Sequence, residues 1–273
     1  MNYEQLASDI AAWMRDYAER AGLQGYTLGV SGGIDSAVVA ALAARAVGPE
    51  HVLGVVMPCH SQAEDIDLAA ALIATLGISS ETVDLTATYD TLVAALPGGS
   101  PMAGTSMARA RMAHANIKPR LRMTTLYFLA QTRALLVAGT GNKPEMMVGY
   151  FTKYGDGGVD IEPLGQLYKH EVRELAKVLG VPAPIITRPP SAGLWPGQTD
   201  EGELGITYDT LDAILDALER GSPPPAPETQ VAQVQRMITT SAHKRAMPPS
   251  YPVDRTRLEG ASTEADSRKN AQE

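Results

Sequence analysis

Apolar and polar residues along the chain follow two periods, one typical of helices and one typical of buried strands. Apolar positions recur at helical spacing over residues 4–21, which predicts an amphipathic first helix. Segments of strand length follow at residues 26–30, 51–57, 81–85 and 134–139. Because these segments alternate with helical stretches, the pattern predicts βαβ units and an α/β fold with a doubly wound parallel sheet flanked by helices.

Proline and glycine divide the rest of the chain into further helices and long loops. Loops are predicted at residues 97–106, 149–165 and 182–205, and long loops in compact domains are usually lids or binding segments. The last residues are polar, so we expect a folded domain over residues 1–253 and a disordered tail over 254–273. Helices are predicted at residues 37–47, 62–76, 86–96, 106–133 with an interruption near Pro119, 168–179, 208–219 and 228–240.

Composition narrows the classes of function. The chain has 273 residues, of which 44% are hydrophobic and only 5% aromatic, so its core is aliphatic. A net charge of −8 argues against binding to a nucleic-acid backbone. The single cysteine, Cys59, excludes an internal disulfide and suits a reducing cytoplasm. No apolar run approaches the ~18 residues that span a bilayer, and the first residues lack the pattern of a signal peptide, so no membrane partner is expected.

A glycine-rich turn follows the first predicted strand and is the clearest candidate site. Ser31-Gly32-Gly33 leads into Asp35-Ser36, which opens an apolar helix. Glycines and a helix N-terminus bring backbone N–H groups to an anion, and the serine hydroxyls add donors. Asp35 would repel a phosphate unless a cation lay between them, which predicts Mg²⁺. The turn matches neither the Walker-type loop nor GxGxxG.

A second candidate follows the fourth predicted strand, in the segment GTGNKPE. Thr140 stands where its hydroxyl can reach a ligand, because ligands bind beyond the carboxyl ends of parallel strands. Glu145 begins the next helix, as either a helix-capping charge or the second metal ligand. We favour the metal ligand, because a lone carboxylate holds Mg²⁺ poorly amid phosphates.

Three charged segments have either a binding role or the ordinary role of a solvated surface. The first is the loop at 151–169, where Lys169 suits a phosphate because it is a mobile point charge. The second is NIKPRLRM, residues 116–123, whose basic cluster stands out in an acidic chain. The third is SAHKRAMPPS, residues 241–250, near the acidic terminus.

Taken together, these segments resemble the ammonia-dependent NAD⁺ synthetases, of the ATP-pyrophosphatase superfamily with the SGGxDS loop. The similarity runs from about residue 5 to about residue 250, and the GDGG and PSAGLWPGQTDEGELG segments are its most specific parts. The matching segments are SGGIDS at Ser31, NIKPRLRM at Asn116, GTGNKPE at Gly139, YFTKYGDGGVDIEPL at Tyr150, RPPSAGLWPGQTDEGELGITYD at Arg188 and HKR at His243.

The resemblance implies a reaction, a fold and partners. The fold would be Rossmann-like, of the adenine-nucleotide alpha-hydrolase type. ATP would adenylate the pyridine carboxylate of deamido-NAD⁺ with Mg²⁺ as cofactor, and ammonia would displace AMP to give NAD⁺. The family is homodimeric, with the dinucleotide at the subunit interface. The synthetase pattern begins within the first thirty residues, so we expect ammonia rather than glutamine as nitrogen donor.

The resemblance also implies roles for individual residues. Asp35 and Glu145 would bind the metal, and Asp156, Asp160 and Lys169 would be catalytic, the two aspartates acting on ammonium. ATP would be bound by Gly29, Val30, Ser31, Gly32, Gly33, Ile34, Asp35, Ser36, Thr140, Lys169 and Ser191. Deamido-NAD⁺ would be bound by Asn116, Arg120, Lys153, Asp160, His243 and Lys244.

The chain departs from the bacterial pattern, and other readings exist. Ser191 stands where threonine is common, Gly193 where an acidic residue is usual, and Pro119 where alanine is usual, while 141–144 differs from Asp-His-Ala-Ala. These changes affect loop shape and leave the charged contacts in place.

The alternative enzymes are a GMP synthetase-type amidotransferase and a tRNA-modifying enzyme, and the net charge disfavours the latter. A non-catalytic nucleotide sensor is a third reading.

Overall fold

The structure is a computed structural model that describes residues 1–96, 106–191, 193–195 and 197–253. The predicted tail at 254–273 lies outside these residues, as does nearly all of the predicted loop at 97–106. Within the described part of the chain, no helix is both long and apolar enough to cross a bilayer.

Four parallel strands form one sheet in the order β3-β2-β1-β4, which confirms the predicted fold class. The strands are β1 (Gly25–Gly29), β2 (Val52–Val56), β3 (Ser79–Thr82) and β4 (Leu135–Val137). The chain builds outwards from β1 to β3 and then returns to the other side of β1. This change of direction places a crevice beyond the carboxyl ends of β1 and β4, where α/β proteins bind ligands.

Two of the predicted strands differ from the observed ones, one in position and one in length. The third strand lies two residues before its predicted start, because its side chains are mostly exposed at the sheet edge and carry no apolar signal. Val83 and Leu85, which supplied that signal, continue alongside β2, donating to the carbonyls of Val56 and Pro58. The fourth strand is shorter than predicted, because Ala134 adopts the left-handed conformation that ends the preceding helix.

The helices largely follow the predicted pattern, with two corrections. The break in the 106–133 region falls at Asn116, because Pro119 lies in the first turn of a helix, where its missing N–H is not needed. The segment 182–205, predicted as a loop, contains two short helices. The helices are α1 (Tyr3–Ala21), α2 (Ile34–Val47), α3 (Ala63–Leu76), α4 (Thr86–Ala95), α5 (Met107–Ala115), α6 (Ile117–Arg133), α7 (Lys143–Val148), α8 (Lys169–Val178), α9 (Ala183–Thr187), α10 (Asp200–Leu204), α11 (Tyr208–Glu219) and α12 (Glu228–Ser241).

Helices pack on both faces of the sheet, and α2 is the most deeply buried of them. Its side chains are enclosed between the sheet, α1 and α8, in one aliphatic cluster. The other face of the sheet packs against α6 through Leu126 and Leu129. A third cluster joins α7, α11 and α12 beside the sheet. Since α2 cannot shift without disturbing this core, the turn that opens it has a rigid support.

Candidate active site

The glycine turn after β1 is held in shape by its own serines. Ser36 Oγ accepts a hydrogen bond from the Ser31 N–H at 3.2 Å and donates to the Gly33 carbonyl at 3.0 Å. Ser31 Oγ lies 3.1 Å from Ser36 Oγ. Gly32 has a φ of +80°, and a Cβ there would approach the Asp65 carbonyl oxygen to 2.6 Å. The turn therefore requires glycine at this position, and it presents the N-terminus of α2 to the crevice.

Lys169 lies beside this turn and joins two carboxylates. Its side chain is fully buried, and its Nζ is 2.6 Å from Asp35 Oδ2 and 3.2 Å from Glu145 Oε1. Asn142 closes the ring: its Nδ2 donates to Asp35 Oδ1 at 3.0 Å, and its N–H donates to Glu145 Oε2 at 3.2 Å. Four residues from three distant parts of the chain thus form one cyclic network, which we name the carboxylate ring.

Burial and charge together set the protonation of the carboxylate ring. Burial raises the pKa of Glu145 to about 7; Lys169 opposes this rise, and Asp35 and Asp200 add to it. Burial by itself would lower the pKa of Lys169, but Asp35 and Glu145 outweigh it and hold that pKa above its usual value. Lys169 is therefore a charged ammonium that compensates two neighbouring acids.

The chemistry of the carboxylate ring fits a divalent cation bound together with phosphates. Among the described residues, no group of three or more His, Cys, Asp and Glu side chains could hold a metal ion by itself. Asp35 and Glu145 instead supply two hard oxygen donors that already share one cationic group. Mg²⁺ in nucleotide enzymes typically takes one or two carboxylates and completes its shell with phosphates and water. These two residues could hold such an ion.

Thr140 lies in the loop between β4 and α7, where Glu162 supports the backbone. Glu162 Oε2 accepts a hydrogen bond from the Gly141 N–H at 3.0 Å. A Cβ at Gly139 would come within 2.4 Å of the same carboxylate, so the loop and Glu162 are in close contact. Burial raises the pKa of Glu162 to about 8, and the Gly141 N–H opposes that rise. This loop therefore rests on a carboxyl group whose environment favours its neutral form.

Five residues predicted to bind deamido-NAD⁺ come together around the 149–156 loop. Asn116 Oδ1 accepts from the Thr152 hydroxyl at 2.8 Å, and Arg120 Nη2 donates to the Lys153 carbonyl at 3.3 Å. Lys153 Nζ donates to the His243 carbonyl at 2.5 Å. Lys244 Nζ donates to the carbonyls of Gly149 and Phe151, at 2.8 and 2.7 Å. These contacts assemble a basic surface from α6, the loop and the chain end after α12.

The two predicted ammonium residues have different partners. Asp156 Oδ1 accepts from the Thr152 N–H at 2.9 Å, within the 149–156 loop. Asp160 accepts from the Val137 N–H at 2.8 Å and from the Tyr127 hydroxyl at 3.0 Å, beside the end of β4. Asp156 therefore fixes the 149–156 loop, whereas Asp160 fastens the chain beyond that loop to the edge strand β4.

Ser191 belongs to the segment before α10, and its hydroxyl is engaged within that segment. It donates to the Gln198 carbonyl at 2.8 Å and accepts from the Gly193 N–H at 3.1 Å. Arg188 fastens the segment to the start of α3 through Asp65, at 2.6 Å, and Asp65 borders the glycine turn. The segment therefore lies next to the predicted phosphate site.

Several residues of the site did not stand out in the sequence. Tyr208, at the first position of α11, has its hydroxyl 2.9 Å from Glu145 Oε1 and 3.2 Å from Asp200 Oδ2. Tyr150 contacts the same Asp200 at 3.1 Å. These contacts join residues far apart in sequence, so no local pattern indicates them. Asn142 and Glu145 form a capping box at the start of α7. Their spacing of three residues is the sequence signal by which Asn142 could have been identified as a helix cap.

Comparison with known proteins places the chain among enzymes of one kind. The NAD synthase family model matches residues 6–248. The chain is 45% identical over 248 residues to the NH(3)-dependent NAD(+) synthetase of Carboxydothermus hydrogenoformans, covering 91% of this chain and 97% of that protein. It is 44% identical over 258 residues to the protein of the same name from Methanosarcina mazei, covering 91% and 98%.

Solved structures give the same grouping. An NMN synthetase from Francisella tularensis superimposes with a TM-score of 0.83 at 34% identity, covering 93% of this chain and all of that one. An NH3-dependent NAD synthetase from Campylobacter jejuni gives a TM-score of 0.77 at 27% identity, covering 92% of this chain and all of that one. The match of the family model and the identity to these relatives extend over nearly the whole chain, and the chain therefore belongs to the NAD synthase family.

Proposed function

We propose that this chain is an ammonia-dependent NAD⁺ synthetase, which amidates deamido-NAD⁺ at the expense of ATP and releases AMP and pyrophosphate. The observation that carries the proposal is the carboxylate ring beside the glycine turn: Asp35, Asn142, Glu145 and Lys169. It combines a glycine turn at a helix N-terminus with a buried ammonium and two oxygen donors, in a chain of the NAD synthase family.

The need for ATP follows from the chemistry of the substrate. A pyridine carboxylate is anionic at neutral pH and resists attack by ammonia. One carboxylate oxygen attacks the α-phosphorus of ATP, the α–β bond breaks, and pyrophosphate leaves with the bonding electrons. The nitrogen of ammonia then attacks the acyl carbon, AMP departs, and the nitrogen loses a proton to give the amide. Both steps develop negative charge on oxygen, so positioning and charge stabilisation carry most of the catalysis.

The residues of the carboxylate ring have separate roles in the first step. The glycine turn, residues 29–36, offers backbone N–H groups to the phosphates, with Thr140 and Ser191 adding hydroxyls. Lys169 exchanges part of its contact with the acids for contact with a phosphate oxygen. Asp35 and Glu145 would hold Mg²⁺, which would supply positive charge to the phosphates when bound. Glu145 would bind the cation in its ionised form, and a bound cation would itself favour that ionisation.

The basic surface around the 149–156 loop is assigned to deamido-NAD⁺. Asn116, Arg120, Lys153, His243 and Lys244 offer donors suited to its two phosphates and its carboxylate. Asp156, in that loop, and Asp160, four residues beyond it, are assigned to binding or deprotonating ammonium. We further infer a cytoplasmic homodimer. The side chain of Phe128 on α6 is 65% exposed and is available to such an interface.

A second substrate deserves a direct comparison because of one structural neighbour. The Francisella tularensis protein of TM-score 0.83 is an NMN synthetase. The corresponding substrate would be the carboxylate form of NMN, a mononucleotide with the same reacting group. The two relatives named above, at 45% and 44% identity, carry the dinucleotide name, which favours deamido-NAD⁺.

The test uses purified protein with ATP, Mg²⁺ and ammonium, supplied in parallel with deamido-NAD⁺, with nicotinate mononucleotide or with neither. We expect NAD⁺ and an equal amount of AMP with deamido-NAD⁺, a much lower kcat/KM with the mononucleotide, and little AMP without either. A higher kcat/KM for the mononucleotide would assign the chain to the second activity. If AMP were released at the same rate with and without either substrate, both amidations would be rejected and another enzyme of the superfamily would be favoured.

A further inference from the structure

The hydroxyl of Tyr208 lies between two carboxylates inside the molecule. Its oxygen is 2.9 Å from Glu145 Oε1 and 3.2 Å from Asp200 Oδ2. The side chain is fully buried, and Lys169 Nζ lies 4.7 Å from the centroid of its ring. Tyr208 thus touches two members of the carboxylate ring without belonging to the glycine turn or to the basic surface.

The position of Tyr208 matters because of how Glu145 is held. Glu145 Oε2 accepts from the Asn142 N–H at 3.2 Å. Its Oε1 accepts from Lys169 at 3.2 Å and from Tyr208 at 2.9 Å. Lys169 is also shared with Asp35, and the proposed mechanism turns it towards a phosphate. When Lys169 turns away, the Tyr208 hydroxyl is the hydrogen-bond donor that still holds Oε1, within the part of the chain that the structure describes.

We propose that Tyr208 is a positioning residue, which orients Glu145 for a divalent cation. The inference rests on the function proposed above for the role of Glu145. Tyr208 touches no substrate in this account and acts through Glu145.

Asp200, the other partner of Tyr208, is connected to Ser191 by a series of hydrogen bonds. Asp200, at the start of α10, is 3.2 Å from Tyr208 and 3.1 Å from the hydroxyl of Tyr150. The same Tyr150 hydroxyl is 2.7 Å from Glu203 Oε2, which accepts from Gln198 Nε2 at 2.6 Å. The carbonyl of Gln198 accepts from Ser191 Oγ at 2.8 Å. Asp200 is therefore held from the segment beside the phosphate site, and the Tyr208 hydroxyl lies between it and Glu145.

Two tyrosines that share one partner provide a matched pair of variants. Tyr208→Phe removes the hydroxyl from Glu145 and Asp200 but keeps the ring beside Lys169. Tyr150→Phe removes a hydroxyl from Asp200 as well, but that hydroxyl binds Asp200 and Glu203 and not the Glu145 carboxylate. The hydrogen bond from the Tyr150 N–H to the Glu145 carbonyl, at 2.9 Å, joins their backbones, and the substitution leaves it in place. Any effect common to both belongs to Asp200, whereas an effect confined to Tyr208→Phe belongs to Glu145.

The measurement is Mn²⁺ affinity by electron paramagnetic resonance, in the presence of an ATP analogue with a methylene between the α and β phosphates. Loss of an outer-sphere contact typically lowers metal affinity or activity about 10–100-fold. We expect a loss of that size in Tyr208→Phe, in Mn²⁺ affinity and in kcat, with an unchanged KM for deamido-NAD⁺. Tyr150→Phe should bind Mn²⁺ like the wild type. Equal Mn²⁺ affinity in Tyr208→Phe and the wild type would overturn the proposal.

A double-mutant cycle separates positioning from general damage to the core. In a Glu145→Gln background, Tyr208→Phe should cause no further loss of Mn²⁺ affinity, because its action passes through Glu145. The same loss in both backgrounds would overturn the proposal. If the wild type bound Mn²⁺ and the analogue but made no NAD⁺, the proposed function would fail, whereas the Mn²⁺ comparison would still decide the role of Tyr208.

Discussion

At the scale of single residues, Lys169 sets the charge balance of the site. It is fully buried, and its two acidic partners, Asp35 and Glu145, have side chains only 20% and 14% exposed. Removing one partner of such a buried group is costly because it leaves the remaining charge uncompensated. The ammonium therefore separates two acids that would otherwise repel each other, and it does so in the place where a metal ion could act similarly.

Substituting Lys169 by methionine tests this balance, because methionine keeps most of the length and volume. We expect Lys169→Met to lower the free energy of unfolding by about 3–5 kcal/mol in the absence of divalent cations. Mg²⁺ should restore part of this loss, since binding to the folded state alone stabilises it. Urea unfolding with and without Mg²⁺ measures both effects.

The control for this variant is Lys177→Met on the same helix, whose side chain is 57% exposed. Its stability should stay close to that of the wild type and should not depend on Mg²⁺ any more than the wild type does. A Lys169→Met protein whose stability ignores Mg²⁺ would contradict the assignment of Asp35 and Glu145 as cation ligands.

At the scale of elements, the strand–turn–helix unit at residues 25–47 depends on one backbone conformation. Gly32 has a φ of +80° and packs against the first turn of α3 through Asp65. Gly22, which ends α1, has a φ of +68°, but a Cβ there would meet no atom within 4 Å. The two glycines thus share the left-handed backbone, and they differ in what surrounds them.

Alanine substitutions at these two glycines separate backbone strain from close packing. Each should lose about 1–2 kcal/mol from the left-handed conformation alone. Gly32→Ala should also displace the turn, because its Cβ would lie 2.6 Å from the Asp65 carbonyl oxygen, and ATP affinity should fall at least tenfold. Calorimetric titration with ATP and thermal melts give the two quantities. Equal ATP affinity in Gly32→Ala and Gly22→Ala would show that the turn tolerates a side chain.

Comparison of the predicted with the observed helices and strands shows which of them the sequence was able to predict. The central strands and α2 were predictable, because continuous apolar runs mark buried elements and glycines mark the turn between them. The edge strand β3 was misplaced, because its exposed side chains carry no apolar pattern. The helices α9 and α10, of five residues each, begin within a stretch rich in proline and glycine that hides their signal.

The residues of the candidate site were likewise predictable only in part. Asp35, Glu145 and Lys169 could be predicted from the sequence, since each belongs to a segment with recognisable chemistry, and the structure brings them together. Tyr208 looks like an ordinary residue in the first turn of a helix, and its partner Glu145 lies 63 positions away. Contacts of this kind depend on how elements pack, which a single sequence does not display.

At the scale of the whole molecule, pH acts on stability through acids whose pKa differs between the folded and unfolded chain. Burial raises the pKa of Glu162 from its ordinary 4.5 to about 8. Between these values the folded chain retains a proton that the unfolded chain has lost. The contribution of Glu162 is therefore fully present below about pH 4.5 and declines as the pH rises towards 8, by up to about 1.4 kcal/mol per pH unit.

Glu162→Gln removes this dependence while keeping an oxygen for the Gly141 N–H. Glutamine cannot ionise, so the variant should gain stability relative to the wild type as the pH rises from 5 to 8. The charge of Glu145 contributes to the raised pKa of Glu162, so Glu162→Gln also lowers the pKa of Glu145, and the measured difference contains both changes, which have the same sign. Urea unfolding at several pH values measures this difference, with Glu19→Gln on the exposed surface of α1 as the control. A difference between Glu162→Gln and the wild type that does not change with pH would show that Glu162 is ionised in the folded protein. In that case the loop at Gly139–Gly141 would rest on a charged carboxylate, and Glu162 would add a further negative charge close to the carboxylate ring.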